Sequence, residues 1–251
     1  GLCRMILTLG EDSLCDICRE HPRFYTELPG RTEAGIGLCC EEACRLLLEN
    51  EKPFSLQQES DGEEILSETK EEVAEADTYI FISAFRESLF AILFDEKKSF
   101  EEKLVKILSK TESFCNGKCK VRDYEKSLSF YKKTGPINDE WVTFIGALND
   151  NHKEVLQSEI KFDKIKENNM LYSKILAYIL YRHLSKAVFD GSIKERVEFS
   201  VEAVRFIRLC DIKTFSEKGY LTLTDRINNL KNWSKQIEYS EENTDLMIYG
   251  E

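Results

Sequence analysis

The chain has 251 residues, 42% of them hydrophobic, and a formal net charge of −11. This length and composition suit a soluble globular protein with one large domain, or a domain with a smaller appendage. The acidic balance argues against sequence-independent binding to nucleic-acid phosphates or to anionic lipid, both of which need a Lys/Arg surface.

In chain order, residues 1–60 come first, punctuated by Pro22, Pro29, Gly30, Gly35, Gly37 and Pro53. They predict helices over about 11–20 and 41–50, and extended segments near 24–28, 32–38 and 53–58 that would make a small sheet. The opening "GLCRMILTLG" shows no basic region and no small-residue cleavage site, so nothing in it directs export. The acidic stretch "ESDGEEILSETKEEVAEAD" (59–77) is the best boundary in the chain, and it also reads as a solvated helix face.

From about residue 62 the character is helical, with helices expected at 63–94, 98–112, 121–133, 138–149, 151–161, 165–189, 193–210 and 224–239. Leu171, Ile175, Ile179 and Leu180 recur at three- and four-residue spacing, as do Ile193, Val197, Val201 and Val204, each series marking one buried face. "DGS" (190–192) is a compact turn that folds these two helices into an antiparallel hairpin. Asp139 and Glu140 suit a helix start. The two longest apolar runs, 78–94 and 170–188, are broken by Arg86 and Glu87, and by Lys174, Arg182 and His183. They read as buried helices and not as membrane spans. The expected fold class is mainly α, with a helical domain over 61–251 and a small cysteine-rich region over 1–60; the expected setting is the cytoplasm.

The chain has nine cysteines, an odd number, so no internal disulfide scheme uses them all. Six lie in the first 44 residues. "CDIC" (15–18) is a C-x-x-C, a spacing shared by zinc sites, iron–sulfur sites and redox dithiols. Cys3 lies ahead of it and the Cys39–Cys40 pair follows. Cys40, just before a helix, would sit at its positive end, which favours a thiolate. Cys44 and Cys210, in "EACRLLL" and "RFIRLC", read as buried core fillers, and "CNGKC" (115–119) as a turn with two incidental thiols. His183 reads as a core packing residue and His152 as part of a polar turn. There is no phosphate-binding glycine loop and no H-E-x-x-H, and no carboxylate pair stands out for acid–base work.

"GLCRMILTLGEDSLCDICREHPRF" resembles the G-x-C, Leu-Gly-Glu, C-x-x-C-R-x-x-P-R segment of flagellin lysine-N-methylases. "GIGLCCEEACRLLL" resembles the Leu-x-Cys-x-Glu-Ala-x-Arg stretch that follows it there. "YILYRHLSKAVFDGSIKERVEFSVEAVRFI" is similar to that family's helical hairpin, and "QIEYSEENTDLM" to its C-terminal end. The resemblance implies methyl transfer from S-adenosylmethionine to surface lysines of flagellin or another protein. It further implies an iron–sulfur cluster, 4Fe-4S in type, with zinc as the alternative metal. Cys3, Cys18 and Cys40 match the motif and Cys15 a frequent variant, so these four are the implied metal ligands. Arg19 and Arg23, with Pro22, match the residues after the second cysteine; facing the reaction cleft, the two arginines would bind the donor's carboxylate or keep a nearby lysine deprotonated. The family has a further cysteine-rich segment ahead of the point where this sequence opens. A cleft between the cysteine-rich region and the helices is the expected place of reaction. Two other readings compete: a non-catalytic metal-binding or docking module, and a radical or redox enzyme, which lacks its usual C-x-x-x-C-x-x-C.

Overall fold

A computed structural model describes residues 4–58, 70–165 and 167–250. The fold is mainly α, with one two-stranded sheet among the described residues. Helix α1 (Arg4–Leu9) leads through a 3-10 turn at Glu11–Ser13 to α2 (Asp16–Glu20). Strands β1 (Arg23–Leu28) and β2 (Arg31–Ile36) pair antiparallel, Phe24 opposite Gly35, Thr26 opposite Glu33 and Leu28 opposite Arg31. Their turn is Pro29–Gly30, with Gly30 at φ 74°, a conformation that disfavours any side chain. Phe24, Thr26 and Leu28 alternate inward, and Gly35 leaves room for the Phe24 ring, which lies 2.6 Å from where a Cβ would stand.

The helices that follow are α3 (Glu41–Glu49), α4 (Lys70–Leu93), α5 (Phe100–Cys115), α6 (Tyr124–Lys133), α7 (Asp139–Gln157) and α8 (Glu159–Phe162). Then come α9 (Glu167–Leu184), α10 (Ala187–Asp190), α11 (Ile193–Lys218), α12 (Leu223–Ile237) and α13 (Glu241–Tyr249). Several starts are chemically marked. Ser99 and Glu102 form a reciprocal capping box on α5, Thr222 and Asp225 another on α12, and Asn138 caps α7 ahead of Asp139 and Glu140.

The antiparallel pair α9–α11 is the axis of the molecule, turned at Gly191 with φ 70°. Both helices are buried nearly all round, beyond the single faces that their apolar spacing marks. The buried charges of α11 are therefore paired. Arg196 pairs with Asp190 at 2.7 Å, Glu202 with Arg122 at 2.7 Å, Arg208 with Glu159 and Asp163 at 2.5 Å, and Asp211 with Arg226 at 3.2 Å. A buried charge left without a partner would cost several kcal/mol, about 3–5 in mutational series.

Several elements depart from the sequence reading, beginning with α1, which was not anticipated, and the expected 11–20 helix, which is α-helical only from Asp16, in α2. The helices expected at 138–149 and 151–161 are one helix through Gln157, because Asn151 and His152 bond back to Ala147 O and Asn149 O and so do not break it. Segment 53–58, expected as a strand, forms neither helix nor strand, and among the described residues it joins no sheet. The 165–189 helix stops at Leu184, with a separate turn at Ala187–Asp190, and α11 runs on to Lys218. Helix α13 was not anticipated, although Ser240 caps it by accepting from Asn243 N. The stretch 63–69 of the expected 63–94 helix lies outside the described residues. Among the described residues no helix is long and apolar enough to cross a membrane.

Candidate functional site

The N-terminal hairpin and α3 lie against α4, α9 and α12, and this seam holds most of the polar chemistry near the cysteine motif. Glu33 points inward from β2 and takes Arg86 of α4 in a two-pronged ion pair at 3.0 and 2.5 Å, with Tyr79 Oη at 2.9 Å and Ser185 Oγ at 2.6 Å. Tyr178 and Tyr181 donate from α9 to Ile36 O and Ala34 O, which pins β2 to the helix.

A second polar node is Glu238, whose side chain is fully buried. Arg182 Nη1 is 3.3 Å away, His183 Nε2 3.1 Å and Ser234 Oγ 2.5 Å. Burial by itself would raise the carboxyl's pKa, but Arg182, His183 and Ser234 outweigh it and hold it below the usual value. Burial pushes His183 down to about 4, so its imidazole is neutral near pH 7. The hydrogen bond to Glu238 then assigns the proton to Nε2, and Nδ1 finds no partner among the described residues.

Beside this node lies Cys39, buried, with its sulfur 3.9 Å from His21 Nε2. Tyr239 donates to Pro22 O at 2.9 Å and lies edge-on to His21, ring centroids 5.5 Å apart. Burial raises the Cys39 pKa, so it is a protonated thiol and not an activated nucleophile near pH 7. Gly37 makes this approach possible: a Cβ there would stand 1.9 Å from Tyr239 Oη.

The residues named by the motif differ in exposure. Cys15 and Cys18 are exposed, Cys18 on α2, and Cys40 is half-buried as the N-cap residue of α3 without a side-chain capping bond. Arg19 Nη2 donates to Leu14 O at 3.3 Å and its other arm lies 3.7 Å from Asp16, while Arg23 donates to Arg19 O at 2.9 Å. Both guanidinium groups are thus engaged with their own segment. Cys3 lies outside the described residues, and so does any distance from it to Cys40. Among the described residues no three His, Cys, Asp or Glu side chains converge in a way that would hold a metal. Cys44, fully buried and donating to Leu38 O at 2.9 Å, and Cys210, also buried, are core residues as their sequence contexts suggest. The proximity of Cys39 and His21 was not anticipated; its only sequence signal is that each adjoins the motif.

A cavity of about 240 Å³ opens at the seam, between residues 47–57 and Lys174 of α9. Away from it, one cavity of about 350 Å³ is lined by Phe100, Tyr172 and Arg208, and another of about 180 Å³ by Trp141, Cys210 and Asn229. What the fold defines is a mainly α-helical protein with an N-terminal β-hairpin docked on its helices. Neither a protein-family model, nor a curated protein, nor a solved structure matches the chain.

Proposed function

We propose that the protein is a cytoplasmic lysine N-methyltransferase that uses S-adenosylmethionine and modifies surface lysines of flagellin or a similar protein. The observation that carries this reading is the Cys15–Arg23 segment, which resembles the flagellin lysine-N-methylase motif and lies at the surface, where a protein substrate has access. A metal centre held by Cys3, Cys15, Cys18 and Cys40, iron–sulfur or zinc, would cross-link this small N-terminal region.

The acceptor amine must first lose a proton. Its lone pair then forms the N–C bond to the sulfonium methyl as the C–S bond breaks, leaving a neutral thioether, and the new ammonium releases its second proton to solvent. A cation nearby favours the neutral amine, and Arg19 and Arg23 are the cations closest to the motif. Through charge-assisted hydrogen bonds they would also suit the donor's carboxylate, after exchanging their present backbone contacts for it.

The test is transfer of labelled methyl groups to purified flagellin by the full-length protein, alongside Cys18→Ala and Arg19→Ala variants. The expected result is donor-dependent labelling that falls at least about tenfold in both variants. No labelling by the unaltered protein overturns the activity; undiminished labelling in both variants removes the motif from the mechanism.

One observation favours a second reading, a non-catalytic docking module. Helix α1 exposes Met5, Ile6, Leu7 and Leu9 together, an apolar run of the kind that marks contact surfaces. Binding to flagellin that is indifferent to the methyl donor would select this reading.

A further inference from the structure

Lys174 lies in the middle of α9, only 4% exposed, and no carboxylate among the described residues pairs with it. Its Nζ donates to Leu48 O at 2.9 Å and Asn50 O at 2.7 Å. These are carbonyls at the C-terminal end of α3, where a lysine is a favourable cap. That staple fixes the amine in position but uses two of its three N–H bonds. Burial lowers its pKa from the ordinary lysine value, and no acidic group among the described residues lies beside it to raise it again.

The cavity of about 240 Å³ that Lys174 lines is otherwise walled by Asn50, Lys52, Ser55 and Gln57, with Leu47, Pro53 and Phe54. Among the described residues its lining thus includes two lysines, an asparagine, a glutamine and a serine, and no Asp or Glu. In a chain with 46 acidic and 35 basic residues, a concavity with that one-sided chemistry selects for negative charge. Lys52 is exposed at the rim and Lys174 is buried at the wall, so an anion entering would meet a mobile charge first and a fixed one second.

We infer that this cavity is an oxyanion site, taking the phosphate or carboxylate group of a small molecule between Lys174 and Lys52. The site is separate from the cysteine motif and does not depend on the methyl-transfer reading. Its chemistry is that of charge-assisted N–H···O bonds, stronger at a buried wall than on an open surface.

The experiment is calorimetric titration of the full chain at low salt with three probes: inorganic phosphate, pyrophosphate and succinate. The expected result is saturable one-to-one binding of at least one probe, with a dissociation constant on the order of 1 mM or tighter. Lys52→Glu, an exposed change that leaves the fold intact, should weaken it at least about tenfold. Lys174→Met should abolish it; because that change also removes the α3 staple, its circular-dichroism spectrum is compared with the parent, and Lys52→Glu decides alone if the fold is lost. Binding of the phosphates without succinate assigns a phosphoryl ligand, and the reverse assigns a carboxylate. Absence of saturable binding by all three probes, or an affinity unchanged in Lys52→Glu, overturns the inference.

Discussion

His183 and Glu238 set the chemistry of the seam, and their titration gives a stability prediction. Folded His183 takes a proton only near pH 4, whereas an unfolded imidazole does so near its ordinary 6.5. Between those values the unfolded chain holds more protons, so stability falls as pH drops through the window. Glu238, held below its ordinary value, acts in the same sense at lower pH. Going from about pH 7 to pH 5 should cost about 2 kcal/mol from His183, read as a lower urea midpoint. In His183→Gln that part of the slope should vanish; an equal slope in both proteins would show that the imidazole does not titrate as its burial implies. The Glu33–Arg86 pair gives a second test. Arg86→Met strands a buried carboxylate and should lower stability by about 3–5 kcal/mol, with Glu33→Gln in the same chain recovering part of that loss.

At the scale of elements, the hairpin and the capped helices have separable costs. Gly37→Ala would drive a methyl into the Tyr239 hydroxyl and break its bond to Pro22 O, for about 1–3 kcal/mol. A Gly37→Ala protein as stable as the parent in thermal unfolding would mean that the Tyr239 contact is dispensable. Ser99→Ala dismantles the α5 capping box and should cost about 1 kcal/mol. The helices were legible because such signals are local: Asp139 and Glu140 at a start, a D-G-S turn, apolar residues at three- and four-residue spacing. The miss at 149–151 has the same origin. Asn149, Asp150 and Asn151 in a row signal a turn, but Asn151 bonds back to Ala147 O, Asn149 donates to Asp150, and the helix continues.

For the whole molecule, Leu28, Leu38, Cys44 and Leu48 belong to the same buried cluster as the α9 and α11 residues. The hairpin and α3 should therefore unfold together with the helices. Cys44, with no exposed surface, reports on the N-terminal part, and Trp233, equally buried, on the helical part. Pulsed thiol labelling of Cys44 and Trp fluorescence should show one shared urea midpoint. Labelling that precedes the fluorescence change would make the N-terminal part a separate cooperative unit.

The sequence by itself determined the helical class, the hairpin's place, the α9–α11 turn and the core roles of Cys44, Cys210 and His183, because each follows from residues within a few positions of one another. Only the tertiary structure decided that Glu33 meets Arg86, that Cys39 meets His21, and that Lys174 closes α3 beside a cavity that Lys52 also lines. Those pairs are separated by 53, 18 and 124 or more residues, and Cys39 and His21 carry no local pattern that announces them. Their proximity is a property of packing: once the α9–α11 axis is buried, each polar group facing it has to find its partner wherever the chain returns.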